Sequence, residues 1–519
     1  MKRGNFPFTR FYSNMMNSPY DRFYRMNINR SVVKHAIQLS VIVLGFCLLV
    51  QCSRKTVQKP KPDVIARVGA SVITTDDFKY RTGLTVRPSS VRTVNAALNN
   101  LIAEKLLAME ARDSCVLLKD PAFQAHIQGI REQAMREQLY NEVAVNKVRI
   151  NEEELNRTFR LSKRAYDLEF FTINNPKIIE EVESQQASGL RPEEIFAGLK
   201  RIGESGFQTV GWRDPENDYI HRALYERAHG IGDIIGPVHI ADMQWVMMRV
   251  VDVNIHPIIG PEDTQFRMNE VRNKLTELKA KSIWQEYKNS MMSGKEIKYD
   301  PEVLKLIVEW YLEDQNQSPT GEISQTQKNE LEIQLKKDTP KKLNAIMDRH
   351  FFRLDGQSWT VGDFKRAIMS HPLIYQKKEF PPNQFPAYFK RAVADMIVDH
   401  YLNKEAYRRG LDKQEAVQKK GKQWEDSYLA RWEINRYLEK INVNELQKKD
   451  YTYYGPRAIN EYLAQLNVRY KDQIEVHEEY LRKMHLNKVP VFALQPGMPY
   501  PMAVPGFPHF TNTDTLLFQ

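Results

Sequence analysis

Residues 206–253 read GFQTVGWRDPENDYIHRALYERAHGIGDIIGPVHIADMQWVMMRVVDV. The stretch opens as a Gly/Asp/Pro loop, FQTVGWRDPEND. It passes into a helix, YIHRALYERAH, closed by Gly-rich turns. It ends in WVMMRVVDV, a run with the apolar, β-branched composition of a strand. Upstream, YDLEFFTI (166–173) is strand-like and PEEIFAGLKRIG (192–203) is helical. This order predicts a small α+β domain over about 164–255.

The flanks have a different texture. VIARVGASVITTDDF, from 64, predicts two short strands turning at Gly69-Ala70, then a helix near Asp76 capped by Thr75. Leu98, Leu101, Ile102, Leu106 and Met109 form a helical stripe. Asp120-Pro121 opens a second long helix and NEEEL (151–155) a third. PEDTQFRMNEVRNKLTELKAKSIWQEY, from 261, returns to long amphipathic helix. The fold class expected is mostly α with an inserted α+β domain.

The flank also recurs. IARVGASVITTDDFK (65–79) lines up with FFRLDGQSWTVGDFK (351–365), so that Arg67, Thr74, Asp77, Phe78 and Lys79 meet Arg353, Thr360, Asp363, Phe364 and Lys365. YKNSMMSGKEIKYDPEVL (287–304) resembles YLAQLNVRYKDQIEVHEEYL (462–481), each a helix, a short β-like stretch (IKY, IEV) and acids. A duplicated helical module is the reading. The organisation expected is a leader over 1–51, a tether over 52–63 and a helical module over 64–163. The α+β domain over 164–255 and the first module's returning helix over 256–312 follow. A linker over 313–345, a second module over 346–485 and an extended Pro-rich tail over 486–519 complete it.

Residues 30–62 set the expected compartment. Arg30 and Lys34 precede an uncharged run that ends at Cys52, and SRKTVQKPKP follows. The run is short for a bilayer span, which needs about 20 apolar residues; a short retained anchor is the alternative to a cleaved leader. LLVQC resembles the lipobox of bacterial lipoproteins, which implies lipid on Cys52, with Val50 and Gln51 where small residues are usual. A start at Met26 would shorten the leader to a more ordinary length. Ser53 after Cys52 implies, by the same resemblance, the outer rather than the inner membrane. The net charge is +10, but residues 1–51 hold seven basic residues against one acid, Asp21. The remainder mixes both signs without a basic stripe, so nucleic acid is not an expected partner.

Familiar enzyme signals are missing: no G-x-x-x-x-G-K-[ST], no H-E-x-x-H, no G-x-S-x-G. His221, His229 and His239 have spacings that suit no metal motif, and Cys115 has no metal-spaced partner. No metal and no cofactor are expected.

With its order of elements, 164–255 resembles the parvulin (rotamase, PpiC-type) peptidyl-prolyl isomerase domain. Val210-Gly211-Trp212 stand for the family's LGW turn, Ile220 to Leu224 for its F..AL helix, Gly232 to Val238 for GE.S.PV, and Val246 to Asp252 for its closing strand. The flanks resemble the helical chaperone module of SurA-like and PrsA-like folding factors. The resemblance implies a folding factor facing the periplasm that binds unfolded or extended secreted polypeptides. It implies two core histidines as well, but those positions fall on Phe170, good to one residue, and Val246; the loop that carries a Cys or Asp in the family is shortened to KRIGESGFQTVGW. Isomerisation must lower a barrier of about 18–20 kcal/mol by binding the twisted amide best, and most polar groups for that are missing. An apolar slot remains, with Phe170, Trp212, Ile220, Trp245, Val246 and Met247 as candidate lining; plain core packing is the competing reading, above all for Trp245 and Met247. A holding function with isomerase activity weak or lost is therefore expected. An active isomerase and a non-enzymatic scaffold of an envelope complex are the alternatives.

Overall fold

In the computed structural model the described residues are 63–83, 90–214, 216–241, 244–317, 344–371, 385–441, 451–484, 486 and 504–518. The expected leader, Cys52, the tether up to 62, and residues 318–343 of the expected linker lie outside them. All described residues belong to the unit Asp63–Gln519. Among them no helix is long and apolar enough to cross a membrane.

The chain starts with a hairpin, β1 (Val64–Val68) and β2 (Ser71–Thr74), and helix α1 (Thr75–Thr82). The cap is Thr74, one residue before the expected Thr75: its hydroxyl accepts from the Asp77 amide, and the Asp77 carboxylate accepts from the Thr74 amide. That reciprocal box satisfies two of the amides a helix start leaves open. Helices α2 (Val91–Ala111), α3 (Pro121–Val143) and α4 (Glu152–Leu161) follow. Asp120 caps α3, accepting from the Ala122 amide at 2.7 Å.

The α+β domain comprises β3 (Arg164–Ile173), α5 (Pro176–Ala187), α6 (Pro192–Ile202), β4 (Gly206–Gly211), α7 (Asp218–Tyr225), β5 (Ile234–Ala241) and β6 (Gln244–Ile255). Its antiparallel sheet has the order β4-β3-β6-β5. Two segments expected as loop and turn, 206–211 and 234–241, are strands instead. Their Gly-rich composition hides pairing partners that lie far along the chain: Tyr166 faces Val210 across β3 and β4. Helix α8 (Pro261–Met292), β7 (Ile297–Tyr299) and α9 (Pro301–Gln317) follow. The last part is β8 (His350–Leu354), β9 (Gln357–Thr360), α10 (Val361–Ser370), α11 (Phe385–Arg408), α12 (Glu415–Lys440), α13 (Tyr451–Tyr470), β10 (Ile474–Val476) and a helical turn at Glu478–Leu481. The chain is thus mostly helical with small antiparallel sheets.

The hairpin β8–β9 and α10 repeat the local geometry of β1, β2 and α1, with Thr360 and Asp363 forming the same reciprocal cap. The third strand of each sheet crosses over. β10 pairs with β1 through Ala66 and Val476, and β7 pairs with β8 through Tyr299 and Phe352. The segment expected to close the first module therefore completes the second hairpin, and the strand near 475 completes the first.

The packing follows the strands. One core joins Ile65, Phe78, Leu98 and Leu106 to Ile434, Leu463 and Phe518; another joins Val303 and Ile307 to Phe351, Phe364, Phe389 and Met396. A third, between them, joins Met135 and Leu139 of α3 to Ala280 of α8 and Leu402 of α11. Within the first core the buried Arg81 guanidinium makes two bonds to Glu104, at 3.0 and 2.9 Å. Lys105 reaches Asp426 at 3.0 Å. Buried charges persist only when paired in this way. Residues 504–518, expected as part of an extended tail, are irregular but packed: Phe507, Phe510 and Phe518 are buried in that core.

Candidate functional site

Alternation along β3 and β6 sends side chains to two different faces. Tyr166, Leu168, Phe170, Val246, Met248 and Val250 face α7, together with Val210, Trp212 and Leu224. Phe171, Ile173 and Met247 face α5 and α6, against Ile179, Val182, Ile195 and Phe196. The six candidate groove residues are therefore divided. Phe170, Trp212, Ile220 and Val246 share the α7 face, whereas Met247, fully buried, and Trp245 belong to the other. A single groove over all six is excluded by the pleat, because neighbours in one strand cannot line one side.

The two positions where histidines were expected do meet. Phe170 is in register with Met248 and Thr172 with Val246, which makes Phe170 and Val246 diagonal neighbours on one face. Gly206 makes room for the Phe170 ring: a Cβ there would stand 2.5 Å from its Cζ. Both positions are apolar, so this part of the face offers no proton donor or acceptor from a side chain at 170 or 246.

Polar rings lie deeper on the same face. His221 is 3% exposed and packs in a triangle of rings with Trp212 and Tyr225, whose centroids lie 4.6 and 4.8 Å from it and 5.0 Å from each other. Neither of its nitrogens makes a hydrogen bond of normal geometry, although the Trp212 backbone is close enough to interact with it. Burial, reinforced by the Lys274 charge, pushes the imidazole down to about 4. His229 sits across Tyr166, 6.0 Å between centroids, and its Nε2 is 2.9 Å from the Ala223 carbonyl. The sequence spacing of His221 and His229 carried little sign of this aromatic setting, since Trp212 and Tyr166 come from other elements and only Tyr225, four residues along α7 from His221, is a local neighbour.

A cavity of about 810 Å3 opens elsewhere, among β9, α10, α11 and α3. Sequence reasoning singled out none of its residues as a site. Gln357, Ser358 and Trp359 all line it. Three consecutive residues point to alternating faces, so the edge of β9 rather than one face borders the cavity. That edge is open: β9 pairs with β8 on one side, and among the described residues no strand pairs with the other. Trp359 stacks on Phe352 at 5.1 Å and meets His400 edge-on at 5.4 Å. Met396 adds apolar surface.

The polar side of the cavity is tightly organised. The Glu132 carboxylate accepts from Asn403 at 2.7 Å and Tyr407 at 3.0 Å. His371 Nε2 lies 2.6 Å from Asp399, which Arg136 also approaches at 3.3 Å. Burial, and then the Glu132 charge, pushes the Tyr407 hydroxyl up to about 12. Lys404 lies over the Tyr401 ring at 5.2 Å. The Asp355 pKa is lowered by a hydrogen bond from Lys295, and the Lys404 charge adds to this. The wall depends on a close approach: a Cβ on Gly129 of α3 would stand 1.7 Å from the Ser370 carbonyl oxygen at the end of α10. Ser358 Oγ is 2.6 Å from half-buried His350, but no carboxylate backs that imidazole among the described residues, so a charge-relay nucleophile is not assembled.

Among the described residues no three His, Cys, Asp or Glu side chains are grouped to hold a metal ion. Cys115 is buried, and burial raises its thiol pKa, which makes it a packing residue rather than a reactive one. Compared with family models, curated proteins and solved structures, the chain matches none.

Proposed function

We propose that this chain is a folding factor of the cell envelope, lipid-anchored at Cys52, that holds unfolded or extended polypeptides. In this reading the α+β domain is parvulin-like and the two hairpin–helix units are copies of one chaperone module. The observation that carries the holding function is the open edge of β9 inside the 810 Å3 cavity. An extended chain can add to such an edge by main-chain hydrogen bonds, which do not depend on its sequence, while Trp359 and Met396 take up apolar side chains. The cavity volume suits a few residues of polypeptide.

The apolar pair Phe170 and Val246 supports weak or lost isomerase activity. Better binding of a twisted prolyl amide needs polar groups around the carbonyl, and this pair supplies none. The matching caps at Thr74 and Thr360 support the duplication.

Two assays test the reading. Purified chain from residue 52 onward should suppress aggregation of a chemically unfolded client at near-stoichiometric ratios; no suppression at several-fold excess refutes the holding function. In a protease-coupled proline-peptide assay the chain should leave the rate close to the uncatalysed one, which takes tens to hundreds of seconds. Strong acceleration would establish an active isomerase instead.

A further inference from the structure

Segment 504–518 lies in its core as a separate extended peptide would lie in a groove. It forms no helix or strand, and its backbone is read by side-chain amides. Asn100 accepts from the Phe510 amide at 2.6 Å and the Thr511 amide at 3.0 Å, and donates to the Thr511 carbonyl at 2.9 Å. Asn99 donates to the carbonyls of Thr513 and Thr515 at 3.0 and 2.7 Å and accepts from the Leu517 amide at 3.0 Å. Asn467 of α13 donates to the Leu517 carbonyl at 3.0 Å, and Arg81 to that of Gly506 at 3.1 Å. These bonds all go to main-chain atoms, so they do not select a sequence. Selection falls to side chains: Phe507, Phe510 and Phe518 are 6%, 6% and 1% exposed, and the Thr511 hydroxyl donates to Asn460 of α13 at 2.8 Å.

The groove itself is unusual for a helix packed in a core. Asn99 and Asn100 are adjacent on α2, 0% and 4% exposed, and buried amides persist only with partners. Here the partners are mostly the backbone of one irregular segment. A segment without helix or strand needs such partners for its own buried amides and carbonyls. Amides that bond peptide groups two at a time suit a surface that any extended chain can occupy.

We infer that the groove between α2 and α13 is a binding site for extended polypeptides bearing phenylalanine, and that segment 504–518 is its built-in occupant, displaced by clients of that chemistry. The inference rests on the folding-factor reading and names a second client site, distinct from the β9 edge. A tethered occupant acts at an effective concentration that can reach the order of millimolar. Clients therefore bind the intact chain more weakly than a chain without the segment.

The test uses the full chain first. Hydrogen exchange of peptides covering 510–517 is followed with and without saturating reduced, carboxymethylated lactalbumin as the unfolded client. Protection of the amides of Phe510, Thr511 and Leu517 should fall at least tenfold on client binding. A second measurement ends the chain at residue 503 and adds the synthetic peptide 504–519, fluorescently labelled. It should bind saturably, be displaced by the same unlabelled peptide and by the unfolded client, and not by a version with its three phenylalanines replaced by serine. Client that binds the full chain while 510–517 stays protected overturns the inference and leaves the folding-factor reading intact. A chain ending at 503 that rebinds the peptide but releases it to no client has the same meaning: the segment is core and nothing more. If no client binds either chain, the folding-factor reading falls, and this inference with it.

Discussion

His221 makes the stability of the α+β domain depend on acid, and replacing it with phenylalanine should remove that dependence. The imidazole is 3% exposed and packed against two aromatic rings, so the folded state resists its proton. Its pKa falls from the ordinary 6.5 to about 4, through burial first and the Lys274 charge second. Below about pH 6.5 the unfolded chain binds a proton that the folded chain refuses, so stability drops as pH falls toward 4 and levels off beneath it. The full shift is worth about 3 kcal/mol, and the part between pH 7 and pH 5 about 2 kcal/mol. His221→Phe keeps a ring against Trp212 and Tyr225 and removes two buried nitrogens without normal hydrogen bonds. At pH 7 the variant should be as stable as the parent or up to about 1 kcal/mol more stable. Urea unfolding read by peptide-resolved hydrogen exchange over 164–255 measures both proteins at pH 7 and pH 5. Other titrating groups cancel in the difference. The parent should lose about 2 kcal/mol more than the variant; equal losses would show that His221 is not held neutral by its surroundings.

Three other outcomes follow from named contacts. Gly129→Ala places a methyl against the Ser370 carbonyl and should cost about 1–3 kcal/mol by overpacking, lowering the midpoint of thermal unfolding and weakening client holding together. Ser358→Arg lies on the exposed edge of β9 and should change stability by less than about 0.5 kcal/mol. A charged edge disfavours strand addition, so suppression of client aggregation should nevertheless fall several-fold. Glu104→Leu leaves Arg81 buried without its carboxylate and should cost about 3–5 kcal/mol, seen as a lower urea midpoint.

Much of the fold is local, and those parts were legible in the sequence. Asp120-Pro121 marks the start of α3 because its cap needs nothing beyond the next three residues. The cap of the first helix was legible to within one residue, at Thr75 rather than Thr74, because adjacent threonines can both accept from an amide in the first turn. The short strands IKY and IEV appear where their alternation placed them. Glycine-rich strands did not announce themselves: 206–211 reads as loop because Gly206 and Gly211 carry no side chain to reveal a pleat, and the pairing that makes it a strand comes from β3.

The sequence by itself marked many of the helices, though not α5, α9 or α12, together with an α+β stretch that interrupts them and a hairpin–helix pattern that occurs twice. Short-range hydrogen bonding and periodic apolar side chains suffice for that. Tertiary structure alone decided which strand completes which hairpin, since β7 and β10 are similar three-residue strands and only the packing of the helices before them brings one to β8 and the other to β1. It also decided that Trp245 and Met247 turn away from Phe170 and Val246, through a strand register that composition does not carry. And it brought Glu132, Trp359, His371 and Lys404 around one cavity, and segment 504–518 onto Asn99 and Asn100. Contacts between residues hundreds of positions apart leave no periodic trace in either partner.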